Sequence, residues 1–62
     1  MTSPAAALSE LLAALGFRAM ADDCATETRP EYLRRYARVV LKNAPAAQKE
    51  ALRTRFVMLR LV

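Results

Sequence analysis

The side chains best placed to do chemistry lie in the middle of the chain. Arg34, Arg38 and Lys42 recur at every fourth position, with Arg35 beside them. Four-residue spacing puts such a row on one face of a helix. There it can meet successive phosphates of a nucleic-acid backbone or the carboxylates of an acidic protein. The plainer reading is the solvated side of an amphipathic helix. A second cluster, Asp22, Asp23, Glu27 and Glu31, is acidic. It lacks the spacing and the turn glycine of a calcium loop. It reads as a solvated segment that also places negative charge near a helix start, where the dipole favours it.

Cys24 stands next to these carboxylates, but the sequence contains no histidine to act as its base. Negative neighbours raise a thiol pKa rather than lower it. The missing histidine also removes Ser-His-Asp and Cys-His arrangements. A single cysteine cannot form an internal disulfide or complete a four-ligand zinc site. With one glycine in the chain, no glycine-rich loop is available to cradle phosphate. No catalytic residue, metal or cofactor is expected, and the chain reads as no enzyme.

The elements that must position these residues are helices. Ser3 and Pro4 form an N-cap followed by a first-turn proline. Leu8, Leu11, Leu12 and Leu15 then follow at i, i+3, i+4 and i+7, and Gly16, the only glycine, suits the position just past a helix end. A helix is expected over about 4–15, with an alanine-rich back that offers a second contact surface. Residues 17–28 are less regular and acidic, with room for a short helix around 18–25. Thr28 and Glu31 have capping-box spacing around Pro30, which starts a helix over about 29–43. On it Tyr32, Leu33, Tyr36, Ala37, Val39, Val40 and Leu41 make a broad apolar arc opposite the basic row. That breadth suggests two neighbours.

Pro45 breaks the pattern. Asn43 or Ala44 is expected to cap a third main helix over about 45–60, adjacent to the second across a very short turn. This helix has two apolar flanks. Ala47, Ala51, Met58 and Val62 form one line; Leu52, Phe56 and Leu59 form the other. Residues 56–62 are also good strand material, so strand is the open alternative there. An apolar ending on Leu61 and Val62 suggests burial against a partner, or a piece of a longer helical protein.

Composition sets the scale. Of 62 residues 55% are apolar, but 13 of these 34 are alanine, and there is no Ile or Trp. A domain of about 60 residues buries only about 60% of its unfolded surface and is marginal alone. The net charge of +4 divides unevenly. Residues 1–31 carry two basic and five acidic groups (net −3), and residues 32–62 carry eight basic and one acidic (net +7). Opposed halves can orient an assembly. No apolar run approaches the roughly 18 residues of a membrane span. Ala19-Met20-Ala21 resembles a signal cleavage site, but no Lys or Arg precedes the apolar stretch and Glu10 interrupts it. The unpaired thiol suits a reducing compartment, so cytoplasm is expected.

The expectation is therefore an all-α protein: three main helices with room for a short fourth, one domain over 1–62, and oligomeric. Its expected role is a small non-catalytic protein–protein interaction or oligomerisation module, a regulatory or adaptor subunit that binds itself or a partner protein. Leu8, Leu11, Leu15, Tyr32, Tyr36, Leu52, Phe56, Leu59 and Val62 are the candidate interface. The alternative is a nucleic-acid-binding module using Arg34, Arg35, Arg38 and Lys42. A helix-turn-helix comparison is weak, since the third helix begins with alanines and offers only Gln48 and Lys49 near its start.

Overall fold

A few capping residues decide where each helix starts and stops, and the computed structural model, which describes residues 3–62, shows how. Helix α1 runs Pro4–Ala14. Ser3 precedes it in extended conformation, and its Oγ accepts the Ala6 N–H at 3.2 Å, while Pro4 fills the first turn. The helix ends at Gly16, whose φ of 95° lies in the left-handed region. Gly16 N–H donates to the Ala13 carbonyl (3.0 Å) and Phe17 N–H to the Leu12 carbonyl (2.9 Å). These two bonds make a Schellman motif, which turns Phe17 onto the core.

Helix α2, Arg18–Ala25, follows at once. It buries only Ala21 and Cys24, one turn apart, and exposes Asp22 and Asp23. The segment expected to be least regular thus contains a true fourth helix, and the fold is an all-α bundle of four. Helix α3, Pro30–Asn43, buries Ala37 and Val40. The expected capping box does not form. Arg29 is the N-cap, which leaves Thr28 one residue too early to cap, and no side chain bonds the first turn.

The corner between α3 and α4 is two residues long. Ala44 (φ −69°, ψ 149°) and Pro45 (φ −56°, ψ 143°) both leave the helical region, Ala44 as expected for a residue whose successor is proline. Pro45, not Asn43 or Ala44, is the N-cap of α4, Ala46–Met58. Asn43 instead points back, its Nδ2 donating to the Val39 carbonyl at 2.8 Å. Past Met58 the strand alternative does not form. Arg60 takes a φ of 60°, its N–H donates to Val57 (3.0 Å), and Leu61 N–H donates to Phe56 (2.8 Å). This second Schellman motif aims Leu61 into the core, where it is buried.

Helix α1 packs most extensively on α2 and next on α3, while α4 docks chiefly on α3. Phe56, Leu8, Leu12, Val40 and Cys24 are fully buried at the centre. The α1–α2 seam is lined by small residues, which lets the backbones approach closely. Ser9 Oγ donates to the Ala21 carbonyl at 2.8 Å, and Cys24 Sγ to the Ala5 carbonyl at 3.6 Å. The buried Ala5 and Ala7 show that the alanine-rich side of α1 is partly internal, although Ala13 and Ala14 are exposed. A radius of gyration of 10.4 Å is close to the about 10.5 Å of a compact domain of this length.

The two Schellman turns differ in their left-handed residue, so they should respond oppositely to substitution. A Cβ at Gly16 would meet no atom within 4 Å, so Gly16→Ala tests backbone strain alone; it should cost about 1 kcal/mol. Arg60→Gly should stabilise by about 0.5–1 kcal/mol. Thermal melts check both, at about 4–8 °C per kcal/mol for so small a domain.

Candidate docking surface

Exposed apolar side chains are ordinary when scattered and informative when gathered. Among the described residues the large exposed ones are Val57 (55%), Met58 (79%), Leu59 (38%) and Val62 (50%), all within the last six positions. Helix α4 places them there because only its Leu52–Phe56 line faces the bundle. The other line, Ala47, Ala51 and Met58, faces out, as does Thr54. The Arg60 turn then separates Leu61, which goes in, from Leu59 and Val62, which stay out.

The expected interface residues divide accordingly. Leu8, Leu52 and Phe56 are buried in the chain's own core. Leu11, Leu15 and Tyr36 are half-buried and pack on that core from its edge. Leu59 and Val62 are exposed. Val57 and Met58 belong with them and were not among the nine. Met58 lay on the second flank that periodicity had drawn, but periodicity does not say which flank the chain uses for itself. Val57 sat among charged positions and carried no such signal.

The basic residues are also placed as a face. Arg34, Arg35, Arg38 and Lys42 are all exposed, and among the described residues none has an ion-pair partner. Arg35 lies 5.1 Å from the centroid of the Tyr32 ring, and Arg29 stacks on the same ring at 3.7 Å. Tyr32 is thus half-covered by cations. Arg29 Nε also donates to Glu27 at 2.7 Å, so Glu27 is already engaged within its own chain.

A shallow open cleft of about 480 Å³ lies where the start of α1 meets the end of α2, lined by Ser3, Pro4, Ala25, Thr26, Glu27, Thr28 and Leu33 among others. Two of its polar groups are occupied: Ser3 caps α1 and Glu27 holds Arg29. Among the described residues no three His, Cys, Asp or Glu side chains come together to hold a metal, and no helix is long and apolar enough to cross a membrane. No known family, curated protein or solved structure matches the chain.

Four ionisations depart from their ordinary values, the hydrogen bond to Glu27 raising that of Arg29. Burial, and then the charge of Glu27, push the Cys24 thiol above 9.0. Burial, then Asp23, Cys24 and Glu27, raise Tyr36 above 10.0, with Arg29 acting the other way. The Arg29 hydrogen bond holds Glu27 below 4.5. A raised acid favours the protonated fold, so its stabilisation is complete below the unfolded pKa and is lost as pH rises through the folded one. For Glu27 the sign reverses, and its stabilisation is lost as pH falls through its lowered pKa. Urea melts should therefore show a plateau between about pH 5 and 9, falling on the alkaline side. Cys24→Ala should remove the part of that fall that begins nearest pH 9. A soluble thiol reagent should react with the native chain at least about 100-fold more slowly than with the unfolded one.

Proposed function

We propose that this protein is a non-catalytic protein–protein interaction module that docks through the outer flank of α4 and the turn that follows it. The observation that carries the reading is the concentration of exposed Val57, Met58, Leu59 and Val62 at one end of one helix. A core that closes with Leu8, Leu12, Val40 and Phe56 has no internal use for these side chains. Left in water they favour association, because apolar burial is the main favourable term in most such contacts. The role that suits so small a domain is a regulatory or adaptor subunit, and the free thiol supports a cytoplasmic one.

A second reading has its own observation. Arg34, Arg38 and Lys42 form an exposed i, i+4, i+8 row without ion-pair partners among the described residues, as phosphate contacts require. It is the weaker of the two. The start of α4, which follows a short corner as a recognition helix does, presents Ala46 and Ala47, leaving Gln48 and Lys49 as the groups able to meet base edges.

Photo-crosslinking in cells that make the protein separates the readings. Benzoylphenylalanine is installed singly in place of Met58, Arg38 or Asp23. Protein adducts should form from position 58 and not from position 23. Adducts confined to position 38 and sensitive to nuclease would overturn the interaction reading in favour of nucleic acid. Absence of adducts from position 58 would overturn it outright.

A further inference from the structure

We infer that the occupant of this surface is an acidic amphipathic helix of a different protein, not a second copy of the chain. The inference rests on the docking role proposed for the α4 flank and names the chemistry of what docks there.

The surface has two properties that an occupant must match together. It is apolar, through Val57, Met58, Leu59 and Val62, and it is set among cations, through Arg53, Arg55 and Arg60. These three arginines are exposed and, among the described residues, form no ion pair. Glu50 is the one acid in the whole stretch 32–62. The outer line Ala47, Ala51, Thr54 and Met58 has the 4-3-4 spacing at which one helix lies along another, and its small members allow close approach.

Self-association fails one property or the other. A two-fold dimer sets the same patch against itself, which gathers Arg53, Arg55 and Arg60 of both copies around one seam with only Glu50 of each copy to offset them. Like charges facing each other across an interface disfavour it. A head-to-tail arrangement would solve the charge problem by using the acidic face of α2. However, that face consists of Asp22, Asp23 and their exposed neighbours, and among the described residues all the large exposed apolar side chains lie at 57–62. The patch would then be covered by carboxylates. A helix with an apolar seam flanked by Asp and Glu satisfies both conditions. A lipid surface satisfies them less well. The aromatic of this segment, Phe56, is fully buried, so no ring is left for the headgroup level, and the outer line of α4 is mostly alanine.

The test uses a phage-displayed library of single helices with randomised surface positions, selected on the full chain. Sedimentation of the chain alone runs in parallel. Helices retained on the wild type should pair large aliphatic residues at seam spacing with flanking Asp or Glu. Met58→Asp should weaken a selected peptide by more than about tenfold. Arg55→Glu and Arg60→Glu should weaken it too, and shift selection towards Lys-flanked helices. Met58 and both arginines are exposed, and circular dichroism verifies that each variant folds. The chain alone should sediment as a monomer.

The inference would be overturned by no enrichment, by enrichment without acidic flanks, by a dimer that Met58→Asp dissolves, or by binding to phosphatidylglycerol vesicles that the same substitution abolishes. Adducts of twice the chain's mass from position 58 would refute this inference while leaving the interaction reading intact.

Discussion

The contact between α1 and α2 sets the terms for the rest of the molecule. A chain rich in alanine and without Ile or Trp cannot fill a wide gap between helices. It closes the gap instead. Ala5 and Ala21 are small enough for the two backbones to approach, and Ser9 and Cys24 then reach across to carbonyls of the opposite helix. Each carbonyl is already an acceptor within its own helix, so the extra bond fixes rotation and sliding between the two. With that pair fixed, Leu8 and Leu12 present a defined surface to α3, and α3 in turn positions α4.

Local signals in the sequence were legible where one residue type determines a backbone conformation. Ser3, Pro4 and Gly16 mark both ends of α1 because a hydroxyl cap, a fixed φ and a left-handed turn each have a preferred residue. Pro45 marks the corner for the same reason. The end of α4 was not legible, because its left-handed residue is Arg60 and arginine carries no such preference. The Thr28 capping box was a false signal, since spacing alone does not show that the side chain turns towards the helix. The short fourth helix was legible around 18–25 despite the polarity of Asp22 and Asp23, and two small buried residues one turn apart are enough to dock it. The candidate surface was half legible. The two flanks of α4 could be drawn from periodicity, but periodicity cannot tell a core formed within one chain from one shared between two, and so Leu52 and Phe56 were grouped with Leu59 and Val62.

The charge asymmetry survives folding in an altered form. Glu27 is drawn into a local clasp with Arg29, and Arg29 and Arg35 gather around Tyr32. Among the described residues the outer cationic row of α3, the arginines of α4 and the carboxylates of α2 form no ion pair. The shortage of core inferred from composition is met within the chain by close approach of small residues at the α1–α2 seam. The surplus of apolar surface is correspondingly small and lies in one place.

The thin attachment of α4 has a kinetic meaning. Helices α1 and α2 are sequence neighbours with the most extensive contact in the fold, so closing them spans a short loop and loses little chain entropy. Helix α4 meets the bundle through Leu52, Phe56 and the turned-in Leu61. Its contact with the bundle is thinner than that of the α1–α2 pair, so it is expected to open more readily and its amides to exchange sooner. A partner docked on the surface proposed above would therefore also hold the fourth helix down onto the other three.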